Sequence, residues 1–346
     1  MRGGEKEKGL GMRGLLVLVL ALGTLYSGYW VVGSVALQNA AESWFAGQNG
    51  SGLEATHQGL DVQGFPNRFD LTVTDLHLAD PVTGFAWDAA FAQVFSMTWK
   101  PWHLIAALPN SQTITTPQEA ITLGSTSLMG SLVLVPGAAL ALDEVIVDGA
   151  DLVATSSLGW VVKAARAQLS TRQDASLGNG HEINLTVTGL TPDPALIAAI
   201  ADTAELPPVV ETAQIDIVAG FSAPIDRFVG DTRPILSALT VKHGLVRWGD
   251  MELSSKGAMV ADADGFAQGR IDITLTNWRK ILPPAVAMGL IKPEIAPTFE
   301  RMMELMAQQS GDAAVLELPL VMKAGRMSLG PVPLGPAPRM VSGPQG

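Results

Sequence analysis

Cysteine is absent from all 346 residues, so neither a disulfide nor thiolate chemistry is open to this chain. Histidine is nearly as scarce. His57, His77, His103, His181 and His243 stand at least 20 residues apart and no HExxH occurs, so a zinc site would have to assemble wholly in three dimensions. Gly-x-Ser-x-Gly, Ser-x-x-Lys with its partners, phosphate-loop and dinucleotide fingerprints are all missing. Catalysis needs a positioned acid, base or nucleophile, and none is legible, so neither an enzyme nor a cofactor is expected. Charged side chains make up only 16% of the chain and aromatic ones 6%.

What the chain does have is a long uncharged run, residues 14–37, GLLVLVLALGTLYSGYWVVGSVAL. About twenty such residues in a helix span roughly 30 Å, one bilayer core. Arg2, Lys6, Lys8 and Arg13 precede the run and resist translocation, which keeps residues 1–13 cytoplasmic and sends the rest across the inner membrane. Tyr26, Tyr29 and Trp30 fall toward the outer end, at headgroup level. A cleaved signal peptide is the alternative, with residues 15–25 as its apolar region and Ser34-Val35-Ala36 as the cleavage site. The length of the run and its helical continuation through Trp44 and Phe45 favour an uncleaved anchor. The body at 38–330 then lies in the periplasm, followed by a ragged Pro/Gly-rich tail at 331–346.

Without residues 1–13 the chain holds 18 basic and 31 acidic side chains, a net charge of −13. That surface repels phosphate, which argues against nucleic acid as a partner and against electrostatic docking on anionic lipid. Gly (36) and Pro (22) are plentiful enough for many turns. Alternation of apolar and polar residues predicts strands from Phe69 through Val73, at 126–135, 139–147, 151–155, 160–169 and 181–188, and as a meander over 239–277. Asp148-Gly149 and Asn179-Gly180 read as hairpin turns. The apolar register shifts from Val73 to Leu76, which points to a bulge near Thr74-Asp75. Phe85, Trp87, Phe91, Phe95 and Trp99 occupy alternate positions and predict one aromatic face. Short helices are expected in HLIAAL (103–108), at 195–205 behind Asp193-Pro194, at 234–239, at 278–291 around Pro283-Pro284, and at 297–309. The fold class is mainly β (α+β): a long twisted antiparallel sheet, or two, with a few covering helices behind a transmembrane segment. Gly64-Phe65-x-x-Arg68-x-Asp70 has an echo in Gly265-Phe266-x-x-Gly269-Arg270-x-Asp272, which fits either two similar amphipathic strands or a duplicated sheet half.

Smaller signals reduce to packing or turns. The stripe of Phe299, Met302, Met303 and Met306 suits a core-facing helix. Asp262-x-Asp264-Gly265 lacks the later Glu of a calcium loop. Ser254-x-Lys256 reads as a solvated strand face, and Trp99-Lys100-Pro101-Trp102-His103 as a strand end packed on the sheet.

With its N-terminal anchor, G-F-P-x-R-F-D-L-x-V at 64–73, the Pro101-Trp102 pair, Leu245-Val246-Arg247-Trp248-Gly249 and the closing Gly325-Arg326-Met327-Ser328-Leu329-Gly330-Pro331, the chain resembles an alphaproteobacterial envelope family, domain of unknown function 2125. The strand pattern is also similar to AsmA-like envelope proteins, and that likeness implies a curved sheet carrying lipid in an apolar groove. The expected function is accordingly binding or transfer of lipid, or of another apolar envelope molecule. The groove lining would include Leu71, Val73, Phe85, Trp87, Phe91, Phe95, Trp99, Leu185 and Ile273. A structural envelope protein that scaffolds other proteins is the alternative. Neither the ligand nor a protein partner is named by the sequence.

Overall fold

The computed structural model describes residues 12–48, 52–177, 179–204, 206–229, 233–309 and 311–340. Alternating apolar and polar side chains become eighteen strands of one antiparallel sheet. The first group is β1 (Glu54–Thr56), β2 (Gly59–Gln63), β3 (Arg68–Asp80), β4 (Phe85–Met97), β5 (Lys100–Ala107) and β6 (Ser111–Thr115). Next come β7 (Ala120–Gly124), β8 (Ser127–Leu134), β9 (Leu142–Ser156), β10 (Val161–Asp174), β11 (Gly180–Thr191) and β12 (Val210–Phe221). The last are β13 (Leu236–Trp248), β14 (Met251–Ala261), β15 (Ala267–Thr276), β16 (Val315–Lys323), β17 (Arg326–Leu329) and β18 (Val332–Pro336). From β9 onward each strand pairs with the next in sequence, a plain meander. Earlier, two short strands share one rung of the sheet: β1 and β2 both flank β3, β5 and β6 both flank β4, and β7 and β8 both flank β9.

Those splits fall on one line across the sheet. Residues 57–58 separate β1 from β2, 108–110 separate β5 from β6, and 125–126 separate β7 from β8. On the unbroken strands the ladder skips a single pair at the same level, Asp75 with Ala90 and Asp151 with Ala165. Asp75 (φ 47°), Asp151 (φ 49°) and Gly189 (φ 62°) take the left-handed conformation there. Register is kept across this crease, but both strands turn over together, so the residues facing the core change parity. On β3 they are Phe69, Leu71 and Val73 below the crease and Leu76 and Leu78 above it. On β4 they are Ala92, Val94 and Ser96 below and Trp87 and Ala89 above.

Four α-helices are found among the described residues. Helix α1 (Met12–Gln48) carries the apolar run, and its most apolar 18-residue window has a mean hydropathy of 2.0 with none of it buried against the protein. By length and composition it is a candidate membrane span or signal sequence. Helix α2 (Pro194–Ala204) starts on Asp193, whose carboxylate accepts from the Ala195 N–H at 2.8 Å and from the Val161 N–H at 2.8 Å. A 3₁₀ turn at Trp278–Ile281 leads into α3 (Leu282–Ala287), where proline at the first turn costs no hydrogen bond. Helix α4 is Ala296–Gln309, and Met303 and Met306 of its Met stripe pack into the core it shares with Leu275, Trp278 and Leu316.

Some local expectations are corrected. Asp148-Gly149 is no hairpin; it lies inside the continuous strand β9, where a Cβ on Gly149 would press within 3.0–3.3 Å of the Leu152 and Leu128 side chains. This glycine serves close packing instead of a turn. HLIAAL is strand β5 and 236–239 opens strand β13, since in each case pairing with a neighbouring strand overrides a short helical pattern. Within the tail, residues 332–336 form β18, which pairs with β17, and Arg339 bridges to Phe266, so the described part to 340 is not ragged. Asn49-Gly50-Ser51-Gly52, whose composition suits a turn that closes the first helix, falls mostly outside the described residues. The two echoing segments each pass through a left-handed glycine, Gly64 (φ 103°) and Gly265 (φ 82°). Each then forms an i, i+2 ion pair on its strand, Arg68–Asp70 at 2.7 Å and Arg270–Asp272 at 2.6 Å.

Candidate functional site

Following registered partners from strand to strand traces a single apolar face. Leu71 pairs with Val94, and the row continues through Ala106 and Gly130 to Val147. From Val147 it runs through Leu169, Leu185 and Ile215, then by way of Gly244 and Ser255 to Ile273 and Leu318. The parallel row from Phe69 passes Leu104, Leu132, Val145, Ile183 and Ile217 to Ile271. The other face carries the charges, including the Arg166–Asp148 (2.8 Å) and Lys242–Glu182 (2.7 Å) pairs. There the Arg166 guanidinium holds the Asp148 carboxyl below its ordinary range, and the Glu182 carboxylate pushes the Lys242 ammonium up.

Cover on the apolar face is uneven. At the C-terminal end α2, α3 and α4 close it, and Trp278 and Leu316 are fully buried. At the N-terminal end only the second half of α1 lies over it. Tyr26 Oη and Thr98 Oγ1 lie 2.9 Å apart, Tyr29 Oη donates to the Thr98 carbonyl at 2.8 Å, and Trp30 Nε1 donates to the Arg68 carbonyl at 2.7 Å. The Trp30 ring stacks 6.2 Å from Phe69, and a Cβ on Gly33 would come within 2.6 Å of that Phe69 ring. Three turns further on, Phe45 packs against Ala55, Val73, Leu76 and Ala89. It is 9% exposed, a burial that contributes roughly 1.5–3 kcal/mol.

Between these two attachments the helix stands off the sheet and walls one side of an open cavity of about 910 Å³. Gly33, Leu37, Ala41 and Trp44 form the helix wall; Phe69, Leu71, Val73 and Val94 form the near floor, and Leu104 and Leu132 the far one. Ser96 is the single polar side chain in the lining, and no ionisable group is among it. Beyond the helix the same row continues uncovered, with Leu169, Leu185 and Ile215 37%, 39% and 37% exposed. Seven strand spacings separate Leu71 from Ile215, roughly 34 Å of apolar floor. Two further buried polar groups lie outside the cavity lining. Trp87 Nε1 donates to Gln112 Oε1 at 2.7 Å above the crease, and His181, 3% exposed, is pushed down from the ordinary histidine range by burial.

The structure puts Leu71 and Val73 in the cavity lining, and Leu71, Leu185 and Ile273 on one registered row. Trp87 shares their face but packs above the crease in the cluster around Phe45. Phe91 and Phe95 are corrected to the opposite face: they register with Thr74 and Asp70, and Phe95 lies 5.8 Å beneath the Arg68 guanidinium. The turnover at Ala90 is the reason, because it breaks the alternation that would have joined them to Trp87. Phe85, 54% exposed, sits at the far start of β4, and Trp99, 62% exposed, in the turn after it. The helix wall was missed from sequence. Its signal is a four-residue spacing, Gly33, Leu37, Ala41 and Phe45, which begins inside the uncharged run and continues past its end.

A helix that is a candidate membrane span or signal sequence thus lies along one apolar face of a single long antiparallel sheet. Residues 30–338 match the model of a family described as an uncharacterized protein conserved in bacteria, DUF2125, and the chain belongs to that family. No curated protein and no solved structure matches it.

Proposed function

We propose that the protein binds lipid, or another apolar envelope molecule, in the trough between α1 and the sheet. Residues 14–37 anchor it in the inner membrane and the sheet stands in the periplasm. One observation carries the reading: a 910 Å³ cavity lined by apolar side chains and one serine, continuous with an uncovered apolar row. That volume is in the range of small-molecule sites, and its lining has nothing to pair a charged or strongly polar ligand. An exposed apolar strip of this length is costly in water unless something occupies it. Binding without catalysis is the role proposed, because the one hydroxyl in the lining, on Ser96, has no ionisable side chain beside it there to act as acid or base. Full-length protein purified in detergent, extracted with organic solvent and analysed by mass spectrometry, is expected to release lipid in near-stoichiometric amount. Ala41→Phe fills the cavity from the helix side and is expected to release at least several-fold less. A wild type free of lipid, or an unchanged load in Ala41→Phe, contradicts the reading.

A further inference from the structure

We propose that the lower end of the sheet is a membrane-docking surface, seated in the outer leaflet so that the trough opens at acyl-chain level. This rests on the anchored, lipid-binding reading and adds where the body sits. The argument is one of length. Arg13 is the last basic residue before the apolar run. A helix rises about 1.5 Å per residue, so Tyr26 stands only about 20 Å beyond Arg13 and Trp30 about 26 Å. The hydrocarbon core is about 30 Å thick. Yet Tyr26, Tyr29 and Trp30 are already hydrogen-bonded to Thr98 and Arg68 at the end of the sheet. With Arg13 at the cytoplasmic interface, those sheet residues lie within the outer leaflet, and any tilt of α1 draws them deeper.

The surface is suited to that place. Phe65, Met97 and Trp99, at the same end of the sheet, are 56%, 41% and 62% exposed. Aromatic rings of this kind settle at the membrane interface. Gly33, the first helix residue of the cavity wall, follows Trp30 by less than one turn and faces Phe69. An acyl chain thus passes from leaflet to cavity without crossing water.

The absence of cysteine makes the test direct, since each single-cysteine variant of the full chain carries one nitroxide. Leu20→Cys, Met97→Cys, Trp99→Cys and Val82→Cys are reconstituted in vesicles of phosphatidylethanolamine and phosphatidylglycerol, and collision with oxygen is compared with collision with a water-soluble nickel chelate. All four positions are exposed, Val82 at 88% in the turn at the opposite end of β3, so labelling leaves the core intact. Labels at Leu20, Met97 and Trp99 are expected to meet the chelate several-fold less than the label at Val82. If Leu20 is lipid-shielded while Met97 and Trp99 match Val82, the seat is wrong and the anchor stands; a protein partner would then be the cover for this surface. If Leu20 also matches Val82, anchor and seat both fall.

Discussion

The two ends of one apolar face meet opposite fates. Around β15 and β16, Leu275, Leu316 and Leu318 lie beneath Trp278, Leu282, Met303 and Ala307, and the result is an ordinary closed core. Around β3, β4 and β5, side chains of the same kind on the same face have one helix above them, and the result is a trough. The strands differ little in alternation or composition. The number of helices available to each end differs, and that decides whether an apolar face becomes a core or a surface that calls for an occupant.

Substitutions that remove the same atoms at the two ends should therefore have unequal effects. Leu316→Ala opens a void in the closed end and is expected to lower stability by about 2–5 kcal/mol, whereas Leu185→Ala on the open floor should cost less than about 1 kcal/mol. Denaturant unfolding of both variants in the same detergent measures the ratio. Equal losses would mean the floor is as closed as the core.

Backbone packing sharpens the contrast next. Gly257 (φ 153°) and Gly269 (φ 158°) sit on the paired strands β14 and β15, where a Cβ would overlap the Arg270 and Ala258 carbonyl oxygens. Gly257→Ala is expected to cost about 1–3 kcal/mol from strain alone. Gly33→Ala meets only the edge of the Phe69 ring, which can give way, and should cost less. Thermal midpoints rank the two.

A smaller effect comes from pH. His181 is buried and its pKa lies below the ordinary histidine value of about 6.5. Its folded state therefore binds fewer protons than the unfolded chain, and stability rises with pH across that window. The contribution is complete above the unfolded pKa and is lost as pH falls from about 7 toward the folded value. His181→Asn should flatten the fall of unfolding free energy as pH drops below the ordinary histidine value; a slope identical to the wild type removes His181 as its source. The smallest change in stability is expected for Ala41→Phe, which adds volume where space exists and should stay within about 0.5 kcal/mol of the wild type.

Much of this comparison was legible in the sequence. The antiparallel sheet, the apolar run and the half-buried strands at Phe69, Leu185 and Ile273 follow from side-chain alternation, which depends only on the chain itself. The change of parity at Thr74-Asp75 also showed, because Leu76 follows Val73 three residues on, but the bulge it suggested is corrected: β3 and β4 each skip one residue there and keep their register. The matching change at Ala90 did not show. Phe85, Trp87, Phe91 and Phe95 keep an unbroken period of two, and only pairing with a strand that turns over forces β4 to turn over with it. Cover is a tertiary property too. Nothing in the strands of either end announces how many helices will land on it, and the stand-off of α1 that creates the cavity depends on two contacts between residues far apart in sequence, Trp30 with Phe69 and Phe45 with Ala89.

The central claim is that one face of the sheet holds lipid and the other does not. Leu104 and Ile105 are adjacent on β5; Leu104 lines the cavity, and Ile105 registers with Phe95 on the opposite face. A photoreactive phenylalanine placed at each position in turn and irradiated in intact membranes is expected to yield a lipid adduct, read by mass spectrometry, at Leu104 and little or none at Ile105. Equal adducts at both positions, or none at Leu104, would contradict the account.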